Sequence, residues 1–263
     1  MAELTIHGAR GSLPVSGPTT ARYGGNTTCL SARLSDGSIL IVDAGTGLTG
    51  APTDAADYHI VFTHYHLDHL LGLPFFDPLY DKNATITFYG YPWRQLGVEE
   101  AVSGPYAEPW FPVKIADTPS QKRFVDLDGD EFALSEVGVS VCRLRHPQDV
   151  SAYRLDGYDN SVVIATDYEA DGVDHDLLEL ARGADTLVHD AQYTPDDYPD
   201  HEGWGHSTWV DAVEAASAAK VGSLILTSHA PTRHDDEIDD YVALARERFE
   251  STDAAYEGLE LPL

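Results

Sequence analysis

The sequence predicts an α/β protein folded as a four-layer αββα sandwich. Apolar, β-branched runs separated by turn residues fill the first half and lead into helical stretches, and the same order returns in the second half. Several of these runs end on a histidine or an aspartate, and such strand ends are where α/β sheets place ligand sites. Periodicity alone leaves the number of layers open; the motifs supply the rest.

The 263 residues include 43% hydrophobic and 10% aromatic side chains, a globular composition. A chain of about this size buries roughly 70–75% of its unfolded surface. Residues 1–263 therefore read as one domain that needs no disulfide framework, and Cys29 and Cys142 are the only cysteines. Lys and Arg number 16 against 44 Asp and Glu, a net charge of −28. Binding to polyanions depends on neutralising phosphates with Lys and Arg, so nucleic acid and anionic membranes are disfavoured as partners. An acidic surface adapted to high salt carries the same charge, and we favour that origin for it. No apolar run approaches the ~20 residues that span a bilayer. The first ten residues lack the charged-then-apolar order of a signal peptide, so a cytoplasmic protein is expected.

Strands are expected at residues 4–9, 28–34 and 38–42, the last two joined by the turn Ser35-Asp36-Gly37, then at 58–63 and 85–90. A short helix at 94–103 falls in an irregular excursion at about 91–123, rich in Pro and aromatics, that carries Trp93, Tyr106, Trp110 and Phe111. Aromatics are enriched at interfaces, and we assign this segment to a homodimer contact rather than a lid. Further strands are expected at 124–126, 139–145, 151–155, 161–166, 186–189 and 224–227. Helices are expected at 174–182, opening on Asp174, at 208–220 with Ser207 as N-cap, and at 235–249 with acids early and Arg246 and Arg248 late.

The chemistry concentrates in Thr63-His64-Tyr65-His66-Leu67-Asp68-His69, directly after an expected strand. His64 and His66 are two apart, so in an extended segment both project to one side. Asp68 and His69 lie where the chain turns toward a helix and can face a second centre. Imidazoles mixed with carboxylates suit Zn²⁺, and also Mn²⁺ or Fe.

This segment resembles the HxHxDH signature of the metallo-β-lactamase-fold hydrolases, and the other elements of that family follow in order over most of the chain. The resemblance implies two divalent metal ions, Zn²⁺ foremost. It places His64, His66, His146 and Asp167 at one ion and Asp68, His69, His229 and the shared Asp167 at the other. Within the family the chain looks like the branch of phosphoribosyl cyclic phosphate phosphodiesterase and ribonuclease Z, whose members are commonly dimeric. Gly205-His206-Ser207-Thr208 resembles the element that carries the general acid there, and Val188-His189-Asp190-Ala191 the one whose carboxylate orients it. The last ligand motif departs from the pattern: relatives often carry His-His-Asp-Pro, where this chain has Ser228-His229-Ala230-Pro231.

The resemblance thus implies hydrolysis of a small or cyclic phosphodiester by a metal-bridging hydroxide. Asp68 would handle the nucleophile's proton, His206 would act as general acid, and Asp190 would hold His206. Arg10, Asn26 and Thr27 are candidate substrate contacts. Asp43 is either an acid behind the metals or a turn residue, and His189 reads as a core histidine. A tRNA 3′-processing nuclease and a lactone or ester hydrolase on the same metals are the alternatives, with a non-enzymatic metal-binding fold behind them.

Overall fold

In the computed structural model, which describes residues 3–172 and 174–263, two seven-stranded sheets stack against each other. The first holds β1 (Glu3–Gly8), β2 (Cys29–Arg33), β3 (Ile39–Val42), β4 (Asp57–Val61), β5 (Thr85–Gly90) and β6 (Gln121–Asp126) in chain order, with β14 (Glu260–Pro262) outside β1. Its pairing is antiparallel from β14 to β3 and parallel from β3 to β6. The second holds β7 (Glu131–Leu134), β8 (Val137–Leu144), β9 (Val150–Asp156), β10 (Ser161–Ala165), β11 (Thr186–Asp190), β12 (Ser223–Thr227) and β13 (Thr252–Ala254), again in chain order. It is antiparallel up to β10 and parallel beyond.

The burial pattern follows from this packing. β3, β10 and β11 are buried at every position because both faces are covered, whereas β8 alternates. Leu4, Ile6, Val42, Val61, Tyr153, Ile164 and Val188 fill the space between the sheets. On the outer face of the second sheet, α2 (His175–Ala181), α3 (Trp209–Ala219) and α4 (Asp235–Arg246) pack Leu177, Val213 and Ile238 over Val163, Leu187 and Leu224. The outer layer of the first sheet is thinner than expected. It is made of one-turn 3₁₀ segments bearing Leu70, Leu73, Phe76 and Leu79, and of the short α1 (Val98–Ser103).

Several local expectations are revised. The helix expected at 94–103 begins only at Val98. Thr208, not Ser207, caps α3: its Oγ1 accepts from Asp211 N while the Asp211 carboxylate accepts from Thr208 N. Ser207 instead donates to the Tyr168 carbonyl. The expected segment 124–126 is the end of a longer β6, and β7, β13 and β14 are additional short strands. The excursion folds back on the first sheet. Tyr106 is buried and donates to the Leu70 carbonyl, while Trp110 is exposed beside Leu67, Leu71, Phe75 and Phe111 in an apolar groove of about 460 Å³.

The strand ends that matter for function meet at one edge. Ser151 N donates to Thr63 O at 2.9 Å, and Tyr153 Oη donates to Phe62 O at 2.7 Å, so β9 of one sheet is tied to the exit of β4 in the other. Among the described residues no helix is long and apolar enough to cross a membrane. Tyr153→Phe leaves the buried Phe62 carbonyl without that partner. A loss of about 1–3 kcal/mol in urea denaturation is expected; an unchanged midpoint would mean the tie contributes nothing.

Candidate active site

Three histidines from two sheets converge. His66 Nδ1 lies 2.9 Å from His64 Nε2 and 3.0 Å from His146 Nε2. The outer nitrogens fix which atoms face inward. Asp43 accepts from Thr63 N at 2.8 Å and from Thr63 Oγ1 at 2.7 Å. With its proton spent there, Thr63 Oγ1 is left to accept from His64 Nδ1 at 3.1 Å. His146 Nδ1 donates to Gly205 O at 2.8 Å. His64 and His146 therefore both present lone pairs to His66 Nδ1, and one proton on that atom can satisfy only one of them. Burial lowers the pKa of all three, keeping them neutral. Converging lone pairs on neutral imidazoles suit a cation. Gly205 is required where it stands: its φ is +92° and a Cβ would fall 2.2 Å from His146 Nδ1.

Beside this cluster lies a second one. His69 Nδ1 donates to Asp43 Oδ2 at 2.8 Å, while His69 Nε2 is buried without a hydrogen-bond partner, 3.4 Å from Asp68 Oδ2 and 3.3 Å from Asp167 Oδ2. Burial would lower the His69 pKa, but Asp167, Asp43 and Asp68 outweigh it and raise it. Asp167 Oδ2 is also 4.0 Å from both His64 Nε2 and His206 Nε2, so this carboxylate stands between the groups. The sets His64–His66–His146 and His64–His69–Asp167 could each hold a metal ion, as could Asp167–Asp190–His206 by distance. Asp190 is already committed, however. Its Oδ1 accepts from Ser207 N and Gln192 N, and its Oδ2 from Asp167 N and His206 Nδ1, the last at 2.7 Å. Burial opposes the charged form of His206, but Asp190 and Asp167 outweigh it and push the pKa up to about 9.

Not every expected residue reaches the site. Arg10 is fully buried; it donates to the carbonyls of Gly24, Ala230 and Arg233 and faces Asp235, with no route to a substrate. Thr27 is also buried, and its Oγ1 donates to Asp68 O at 2.6 Å, so it braces the backbone of the ligand loop. Asn26 is half-buried and engages Arg10 through its backbone carbonyl. Two further residues hold the site together: Asp43, for which the sequence left open an acid behind the metals or a turn residue, and Glu169, which it did not single out. Asp43 anchors Thr63 and His69 as above, and buried Glu169 accepts from Tyr198 Oη, Gly203 N and Gly205 N, fixing the loop that carries His206. Their signal in the sequence was position alone, since each follows an apolar strand. His189 is a core residue, its Nδ1 donating to Asp190 O at 2.7 Å.

The β-lactamase superfamily domain matches residues 40–229. The chain belongs to the β-lactamase superfamily. This metallo-β-lactamase-fold hydrolase is 27% identical over 252 residues to an uncharacterized protein of Mycobacterium leprae, covering 90% of this chain and 81% of that one. It is 24% identical over 301 residues to ribonuclease Z of Haloarcula marismortui, covering 94% and 92%. Among solved structures, a diphosphatase of the PhnP family superposes with a TM-score of 0.74 at 19% identity, over 100% of this chain and 98% of the other.

One member of the ligand set carried over from the family is overturned by the geometry. His229 is fully buried with both nitrogens used elsewhere: Nε2 donates to Ala255 O at 2.9 Å and Nδ1 accepts from Tyr241 Oη at 2.6 Å. The cause is local. Ser228 adopts a left-handed backbone, φ +57°, and His229 then pairs with the Ala9–Gly11 segment, facing away from the cluster. Burial depresses the His229 pKa to about 3, below the ordinary 6.5. A depressed histidine pKa favours the fold above pH 6.5, and that stabilisation fades as pH falls toward 3. His229→Asn is therefore expected to be less stable than wild type at pH 7 in urea denaturation, yet to lose less on acidification. Equal acid sensitivity would contradict this role.

Proposed function

We propose that this metallo-β-lactamase-fold hydrolase cleaves a small or cyclic phosphodiester at a centre for divalent metal ions. One observation carries the reading: His206, its ring held by Asp190, stands with Nε2 4.0 Å from Asp167 Oδ2, at the edge of two convergent donor sets. His64 Nε2, His66 Nδ1, His146 Nε2 and Asp167 would hold one ion, for which Zn²⁺ suits the imidazoles; Asp68, His69 and Asp167 would face a second. Divalent ions at such a centre supply Lewis-acid stabilisation of a phosphoryl group and a more acidic water.

The protein's own groups handle the protons. Hydrolysis forms a bond from water oxygen to phosphorus and breaks the bond from phosphorus to the leaving oxygen. Asp68, whose Oδ2 accepts from Ser12 N at 3.0 Å, would take the proton from water. His206 Nε2 delivers a proton to the leaving oxygen, and Asp190 holds the ring at Nδ1 so that Nε2 faces the reaction. The charge of −28 favours a small substrate over a nucleic acid. A homodimer through the aromatic face around Trp110 and a cytoplasmic, high-salt setting belong to the same reading.

Bis(p-nitrophenyl) phosphate and a diester with an alkyl leaving group test it together. Purified protein is expected to retain metal and to turn over both, and His66→Ala to lose metal and turnover. His206→Ala should cost about 10²–10⁴-fold with the alkyl leaving group and far less with p-nitrophenolate, which needs no acid. Equal losses would remove His206 from that role. Lactone turnover without phosphodiester turnover would replace the substrate class.

The pH profile follows from the raised pKa. The working form of His206 is protonated, and Asp190 raises its pKa, so activity should persist through neutral pH and fall on the alkaline side. Asp190→Asn removes the charge that favours the imidazolium and should bring that fall to lower pH. An alkaline limb that stays in place would argue against the pair.

A further inference from the structure

We infer that the two ion positions are chemically unequal and that Ser228 makes them so: one is an imidazole site for a borderline cation such as Zn²⁺, the other an oxygen-rich, exchangeable site for a harder cation such as Mn²⁺. This rests on the metal centre proposed above.

The donor atoms set the contrast. The first position has three ring nitrogens, His64 Nε2, His66 Nδ1 and His146 Nε2, all within 4.8 Å of one another. The second has a single nitrogen, His69 Nε2, between Asp68 Oδ2 at 3.4 Å and Asp167 Oδ2 at 3.3 Å. That nitrogen is buried and faces two carboxylates without a well-aligned hydrogen bond to either, a donor set that a cation would fit. A second imidazole would have to come from the end of β12, the strand whose exit faces Asp167. The side chain that arrives there is Ser228, fully buried, with Oγ donating to Asp167 Oδ1 at 3.3 Å. The neighbouring imidazole, His229, is held on the far side by Ala255 and Tyr241.

The consequence follows from ligand preference. Imidazoles suit zinc, whereas carboxylate and neutral oxygen donors suit manganese and magnesium. The second position offers two carboxylates and one imidazole, the Ser228 hydroxyl being spent on the other oxygen of Asp167, and it shares one carboxylate with its neighbour. It also carries fewer protein ligands than a closed zinc site uses. An ion there should exchange readily and answer to the free metal concentration, while the first ion stays.

Metal content and binding, not turnover, test this. The full chain is stripped of metal, equilibrated with one equivalent of Zn²⁺ and an excess of Mn²⁺, dialysed against metal-free buffer and analysed for both elements. Zinc affinity is measured in parallel by competition with a chromophoric chelator. We expect one zinc per chain to survive dialysis and a second equivalent to bind about 100-fold more weakly, a step of the size that altered metal environments produce. Manganese should fill the second position before dialysis, seen by its electron paramagnetic resonance. Ser228→His should convert the weak zinc step to a tight one. Should that variant fail to fold, Asp68→Asn in an otherwise wild-type chain must abolish only the weak step. Two equally tight zinc ions in the wild type, or a weak step untouched by either substitution, overturns the inference. Absence of any metal binding overturns the proposed centre itself, a distinguishable result.

Discussion

Asp190 is a carboxylate with no contact with water, and its two oxygens meet four donors. Through Asp167 N it fixes the turn that follows β10. Through Ser207 N and His206 Nδ1 it fixes the loop ahead of α3, and through Gln192 N the exit of its own strand. An unpaired buried charge would be costly, so these donors and the carboxylate enforce one another. The spacing between the central Asp167 and the imidazolium of His206 is a consequence of this one group. Its burial in turn depends on β11 lying between β10 and β12 with both faces covered.

The same logic operates on the histidines. An imidazole can present a lone pair at one nitrogen only after its proton has been committed to the other. Asp43, Thr63 and the Gly205 carbonyl make those commitments for His64, His69 and His146. These partners come from β3, from the β4 exit and from the loop after β11, so the sandwich as a whole sets the direction of each ring. Glu169 extends the arrangement by holding two backbone amides of the loop whose carbonyl receives His146.

Most of this was legible in the sequence, for reasons that differ by residue. His64, His66, Asp68 and His69 share one short segment, so local geometry already puts them together. His146, Asp167, Asp190 and His206 became legible through strand ends and motif resemblance. Ser228 and His229 did not, because neighbours on a strand point to opposite faces and a one-residue change of register exchanges them. Nothing in Ser228-His229-Ala230 states which side chain turns toward Asp167; the pairing with residues 9–11 decides it, and that contact is far away in the chain. Arg10 was misjudged for a related reason. The carbonyls that bury its guanidinium come from segments over 200 positions distant as well as from Gly24. The strands β7, β13 and β14 are three or four residues long, too short for an alternating pattern to declare itself.

Asp43, Asp167 and Ser228 share one further property: each lies just past a strand with a left-handed backbone, at φ +59°, +51° and +57°. A side chain in that region costs on the order of 1 kcal/mol or more per residue relative to glycine. Glycine at any of the three would ease the main chain and delete a group that anchors the site. Selection for a sturdier molecule and selection for a working one therefore pull these positions in opposite directions, a stability–activity trade-off written into the backbone.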